Sequence, residues 1–219
     1  MNNRRQSLTS PSHFHAVAGH CAGAAAISNQ LTISATISAA FGAARIKYHA
    51  LHLLWRDASI RIGSHLPNSR LTISVQRVGD LDLLIRAMES EFSPNPNLFD
   101  DYHNQLTLSE MWVSSAYEIV RLIRARKFEP ENEDLREIAS QLKLLRIPID
   151  KHEIADDRKL STPLPMQTHP DDTGRISERT YDKTDDRRSH VLPVTISARG
   201  SAIWYVIDGS SQSAHWIEG

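Results

Sequence analysis

Apolar residues recur every three or four positions between Ile33 and Trp55, where Ile33, Ile37, Ala40, Phe41, Ala44, Tyr48, Leu51 and Trp55 share one helical face. This spacing predicts a long first helix. Its expected end is Gly63, which tolerates a left-handed cap, followed by Pro67-Asn68, where the hydrogen-bond ladder cannot continue. A second helix is predicted from about Leu81 to Phe92, with Asp80 as N-cap and Leu81, Leu84, Ile85 and Met88 on its buried face. Ser93-Pro94-Asn95-Pro96-Asn97 breaks it. Thr107 and Glu110 have capping-box spacing, and Leu106 with Met111 has that of a hydrophobic staple. They predict a third helix over 108–127, with Leu108, Met111, Trp112, Ala116, Ile119, Val120 and Ile123 inside and Pro130 closing it. A fourth helix is capped by Asn132 and carries Leu135, Ile138, Ala139, Leu142 and Leu145 on one face, with Glu133 and Asp134 at its positive end. Two consecutive amphipathic helices with a short joint are expected to pack antiparallel.

From Asp156 to Ser189 the periodicity disappears and Asp, Arg, Thr and Pro predominate, including Pro163, Pro165 and Pro170, which reads as a solvated linker. Beyond it, β-branched and aromatic runs appear at Val191, Leu192, Val194 and Ile196, then over 203–207, then at His215, Trp216 and Ile217. Ala198-Arg199-Gly200-Ser201 and Gly209-Ser210-Ser211-Gln212 separate them, so three short strands in a meander follow. The expected fold class is α+β. Residues 1–32 form a poorly ordered leader, 33–155 a small helical bundle, 156–189 a polar linker, and 190–219 a C-terminal antiparallel β-meander. The meander packs on the bundle or completes a partner's sheet.

Charge divides the chain differently. Residues 1–56 hold no acid and five basic residues, Arg4, Arg5, Arg45, Lys47 and Arg56, whereas residues 57–219 hold all 26 acids. The near-neutral total of −1 conceals this split. An acid-free segment rich in Ser and Ala also reads as a transit peptide, and Arg4-Arg5 invites a twin-arginine export reading; a poorly ordered N-terminus or an upstream start codon is the plainer account. The least polar stretch, from Cys21 to Ala44, owes its apolarity mainly to alanine and includes Asn29 and Gln30, which favours a bundled helix over a membrane span. The one cysteine, Cys21, excludes an internal disulfide framework and sites built on several thiolates, and accords with a reducing, cytoplasmic compartment. No glycine-rich phosphate loop, Gly-x-Ser-x-Gly elbow or zincin motif is present, so nothing calls for a nucleotide, metal or other cofactor.

Arg146 and His152 form the most suggestive pair, six apart at the end of the fourth helix, with Pro148 between them expected to force a kink or restart. An arginine that binds phosphate and a histidine that moves a proton are the minimum for metal-independent RNA cleavage by the 2′-hydroxyl. The segment Arg146-Ile147-Pro148-Ile149-Asp150-Lys151-His152 resembles the Arg-x(4–6)-His motif of HEPN-type helical ribonucleases, although Ile147 stands where that family usually has a polar residue. The resemblance implies a helical bundle, dimerisation that pairs two such sites, and an RNase role on an RNA partner. The competing reading pairs Arg146 with Asp150 one turn on and leaves His152 on a solvated helix end.

Weaker constellations remain. His169-Pro170-Asp171-Asp172 resembles the metal-binding tetrapeptide of zinc-dependent N-acetylglucosaminyl deacetylases, but Thr173 and the linker flanks favour a turn. His13, His15, His20 and Cys21 include ligand types for a soft metal without a neighbouring carboxylate. His49 and His52 flank the first apolar stripe, and Tyr102-His103 follows Asp100-Asp101 in a polar loop. Arg121, Arg124, Arg126, Lys127 and the pair Arg187-Arg188 read as solvated faces on a net-negative body, not as a broad nucleic-acid surface. The runs Ser-Glu-Met-Trp-Val and Ser-Ala-Arg-Gly-Ser resemble those of bacterial proteins without an assigned activity.

A strand edge rich in Trp204, Tyr205 and Trp216 suits strand addition. The leading expectation is a soluble interaction or structural protein without catalytic activity, whose partner is another protein or a second copy. The alternative is a metal-independent endoribonuclease in which Arg146 holds phosphate and His152 is the general acid/base.

Overall fold

A computed structural model of the protein describes residues 18–91, 99–128, 130, 133–167, 175 and 178–219, and only the backbone for 18–31, 99–101 and 167. The chain divides into two compact units, residues 1–43 and 44–219. Helix α1 (Ala18–Lys47) starts inside the segment expected to be a poorly ordered leader. Its side chains from Thr32 to Ala40 are exposed, Ile33 and Ile37 among them, so the first stripe is not buried there.

In the larger unit, Ala44 is buried with Leu83 and Ala87 beside Tyr48 and Leu51. Tyr48 leaves the helical backbone, at φ −112° and ψ 43°, so the single long helix becomes α1 and α2 (His49–Gly63). The Tyr48 hydroxyl donates to the Arg86 carbonyl at 2.9 Å, a tertiary tie that the local period does not reveal. Gly63 does end α2, but Ser64 behind it is right-handed. Space, not a left-handed cap, explains the glycine: a Cβ there would lie 1.9 Å from Thr72 Oγ1.

Helix α3 (Leu71–Glu91) starts well before the predicted Leu81, burying Leu71, Val75, Val78, Leu83 and Ala87. Gly79 and the buried Asp82 interrupt this face in the sequence, and both serve Trp55. A Cβ on Gly79 would come within 2.5 Å of Trp55 Cγ, and Trp55 Nε1 donates to Asp82 Oδ2 at 2.8 Å. Asp80, expected as an N-cap, is inside the helix and receives a two-bond fork from Arg45 at 2.8 and 2.6 Å.

Helix α4 (Phe99–Arg126) also begins before its predicted cap, so Thr107 and Glu110 lie within it. Its early turns bury Gln105 and Ser109, which carry no apolar signature. The Gln105 amide reaches the Gly200 carbonyl and fixes a distant turn. Met111 is 53% exposed and Val113 takes the buried place, while Trp112 packs half-buried against the same core. Helix α5 (Glu133–Lys151) runs through the buried Pro148 without a restart, one turn from its end; Ile138 is exposed, and Leu142, Leu144 and Leu145 are inside.

The segment expected to be a solvated linker is polar but holds a built structure. Strands β1 (Leu164–Gln167) and β2 (Glu178–Tyr181) pair antiparallel, and Ile154, Leu160 and Tyr181 form a small buried cluster. The Tyr181 hydroxyl donates to Asp157 Oδ2 at 3.1 Å and accepts from the Ile154 N–H at 3.2 Å. Arg188 joins the same carboxylate at 3.0 Å and Glu153 at 3.2 Å. Charges that satisfy one another give a buried network the composition of a linker.

Strands β3 (Val194–Ile196), β4 (Ala202–Asp208) and β5 (Ser213–Glu218) form the antiparallel meander in that order. Gly200, at φ 86°, makes the β3–β4 turn. Along β4 the alternation buries Ala202, Trp204 and Val206 in one core with Val78, Val113, Ala116, Leu142, Leu144 and Leu145. The sheet therefore packs on α4 and α5. Among the described residues, no helix is long and apolar enough to cross a membrane.

Candidate functional site

The register determines which main-chain groups of β5 are unused. Gly219 N–H donates to the Ala202 carbonyl at 2.9 Å, while Tyr205 N–H turns the other way to the Pro193 carbonyl, also at 2.9 Å. Hydrogen-bonded and non-hydrogen-bonded pairs alternate along an antiparallel ladder. Ile217 opposite Trp204, His215 opposite Val206 and Ser213 opposite Asp208 are therefore the bonded pairs. It follows that the N–H and C=O groups of Ala214, Trp216 and Glu218 point away from β4, along an edge that no other described strand pairs.

Side chains reinforce this edge. Tyr205 and Trp216 are register partners on the face away from the bundle, with ring centroids 5.0 Å apart at 54°. Trp216 is 57% exposed. The opposite edge is blunted, since β3 has three residues and follows Pro193, whereas β5 has six residues and no proline or lysine. Its one carboxylate, Glu218, is held by Arg199 at 2.8 Å, and that hydrogen bond keeps its pKa below the ordinary glutamate range.

Arg146 is already engaged. Its Nε lies 2.7 Å from Asp150 Oδ2, its Nη2 3.6 Å from Glu118 Oε1, and its guanidinium carbon 5.4 Å from the Tyr117 ring centre. The buried Nε–H is not aimed at an acceptor, so the Asp150 contact is an ion pair and not a hydrogen bond. Ser114 donates to the other Asp150 oxygen at 2.8 Å, and Arg121 binds Glu118 at 2.7 Å. A phosphate would have to compete with two carboxylates for this cation. His152 is exposed and ends α5 at φ 56°; its N–H meets the Pro148 carbonyl at 3.0 Å, and its carbonyl accepts from His190 N–H at 2.7 Å. Beside the Asp150–Glu118 network, a cavity of about 560 Å³ opens between α3 and α4, lined by Leu71, Val78, Ile119 and Leu122 with Arg77 and Arg121.

Several chemically active groups carried no local signal in the sequence. His190 is 1% exposed with neither ring nitrogen hydrogen-bonded. Burial, and secondarily Arg179, push its pKa down to about 4, so it is neutral near pH 7. Glu89 and Glu110 are held above the usual glutamate range by burial; at Glu89, a hydrogen bond with Ser201 opposes the shift.

The remaining sequence candidates do not assemble. His13, His15 and His169-Pro170-Asp171-Asp172 lie outside the described residues, as do the side chains of His20, Cys21, Asp100 and Asp101. Tyr102 and His103 are in α4 and not in a loop, while His49 and His52 lie on α2. Among the described residues, no three His, Cys, Asp or Glu side chains converge as a metal-ion site. Arg188 belongs to the Asp157 network instead of a solvated face. No protein-family model, curated protein or solved structure matches the chain.

Proposed function

We propose that this protein is a binding module whose β5 edge receives an extended segment of a protein partner as the next strand of the sheet. The observation that carries the reading is the row of outward main-chain groups at Ala214, Trp216 and Glu218 beside the exposed Trp216 ring. Main-chain bonding supplies affinity with little demand on the partner's sequence, while Trp216 and Tyr205 offer an apolar surface to alternate side chains. The inner face of β4 is locked on the bundle, so the edge is ordered before a partner arrives. Each added main-chain bond contributes about 0.5–1.5 kcal/mol net, so the few bonds of a short strand depend on the aromatic anchor to offset the cost of association.

Selection from a displayed random-peptide library tests this. Ala214→Pro removes an outward N–H while leaving the β4–β5 ladder intact, and Trp216→Ala removes the anchor. Peptides selected on the wild type are expected to lose at least about tenfold in affinity on either variant, with circular dichroism unchanged. Peptides that bind all three proteins equally, or a selection that yields none, refute the reading.

A further inference from the structure

We infer that the cavity between α3 and α4 binds an amphipathic monocarboxylate, its hydrocarbon part on the apolar floor and its carboxylate on Arg77. None of the residues lining this cavity belongs to β5, so the inference stands apart from the edge reading.

Facing rows of two packed helices ordinarily interdigitate and leave little room. Here Ser74, one turn beyond Leu71, and Ser115, one turn before Ile119, bring only short side chains to the seam, and about 560 Å³ stays open. That volume falls within the range of small-molecule sites, roughly 300–1,000 Å³. The floor is apolar, since Leu71 and Val78 are buried and Ile119 and Leu122 half-buried. Such a floor favours hydrocarbon.

The mouth decides the head group. Arg77, Glu118, Arg121 and Asp150 line the cavity and are exposed. Glu118 is bound by Arg121 at 2.7 Å and faces Arg146 at 3.6 Å, while Asp150 lies 2.7 Å from Arg146. Two carboxylates thus balance two guanidinium groups. Arg77 is left over, paired with no acid among the described residues. One spare cation above an apolar floor matches a ligand with one negative charge and a hydrocarbon body. The arginine fork suits a planar carboxylate, which can take two parallel N–H bonds. A dianionic phosphate monoester would bring a second charge beside Glu118 and Asp150, and an ammonium head would meet Arg77, so both are disfavoured.

Octanoate is the test ligand, with octanol and octyl phosphate as its neutral and more highly charged counterparts. Each is titrated into the full chain while NMR follows the methyl groups of Leu71, Val78, Ile119 and Leu122. Octanoate is expected to saturate all four shifts with a Kd on the order of 1 mM, and the other two to bind several-fold more weakly. Arg77→Ala should weaken octanoate by about threefold to tenfold and leave octanol unchanged. Because Arg77 is exposed, circular dichroism should not change. Arg56→Ala removes an exposed cation that does not line this cavity and should leave octanoate binding as it was. Absence of saturable shifts at the four methyls overturns the inference, as does an Arg77→Ala variant that binds octanoate like the wild type. Octanol or octyl phosphate bound as tightly as octanoate, or an equal loss on Arg56→Ala, overturns it too.

Discussion

Gly79→Ala tests the packing of α2 on α3 most sharply, because helix propensity and tertiary packing predict opposite signs. In an isolated helix the change stabilises by about 1 kcal/mol. Here the new methyl would lie 2.5 Å from Trp55 Cγ and 2.7 Å from Trp55 Cβ, so the indole must move. Overpacking of this kind costs about 1–3 kcal/mol. Displacing the ring also breaks the 2.8 Å bond from Trp55 Nε1 to Asp82, a carboxylate only 9% exposed, at about 1–3 kcal/mol more. The net expectation is a loss of about 1–5 kcal/mol, or roughly 2–20 °C in Tm for a chain of this size. Urea and thermal melts of the wild type, Gly79→Ala, Trp55→Ala and the double variant close the cycle. In the Trp55→Ala background, Gly79→Ala should be neutral or stabilising. Equal destabilisation in both backgrounds, or stabilisation of the wild type, refutes the assigned contact.

His190 gives a pH dependence of defined sign. Its pKa is near 6.5 when unfolded and about 4 when folded, so the unfolded chain takes up a proton that the folded chain refuses. This contribution is constant above pH 6.5 and costs stability as pH falls from 6.5 toward 4, by at most about 3 kcal/mol. His190→Leu should flatten the difference in urea midpoint between pH 7 and 4.5 relative to the wild type; an unchanged slope contradicts the burial argument. Tyr181→Phe should cost about 1–2 kcal/mol in urea melts at pH 7, because the Ile154 N–H loses its partner and Asp157 keeps only Arg188, and a loss below about 0.3 kcal/mol would count against that network. RNA incubated with the wild type in the absence of metal should stay intact. Cleavage that Arg146→Ala and His152→Ala each abolish would instead establish the ribonuclease chemistry and displace the binding-module reading.

How much of this could be read from the residues follows physical lines. The meander was legible because β-branched and aromatic runs bounded by Gly and Ser turns are local signals, and Tyr205 and Trp216 stood out with them. The Arg146–Asp150 pair was legible from its four-residue spacing. The first half of α3 and the early turns of α4 were hidden because Gly79, Asp82, Gln105 and Ser109 occupy buried positions, and their partners Trp55 and Gly200 are remote in sequence. The false N-caps at Asp80 and Thr107 have the same origin, since a capping pattern cannot show that the helix began earlier. The hairpin β1–β2 was read as linker because Glu153, Asp157, Tyr181 and Arg188 compensate one another only once folded. At the candidate site, the aromatic residues were visible, but the direction of each main-chain group depends on the register of β5 against β4.

Residue-resolved amide exchange along β5, followed by NMR with and without a selected peptide, tests the binding edge most directly. In the free protein His215 and Ile217 should be protected while Ala214, Trp216 and Glu218 exchange rapidly, and a bound peptide should protect those three as well. Protection of all five amides in the absence of peptide would mean that the edge is already covered. Rapid exchange of all five would mean that β5 is not paired to β4 as described. Either result contradicts the account.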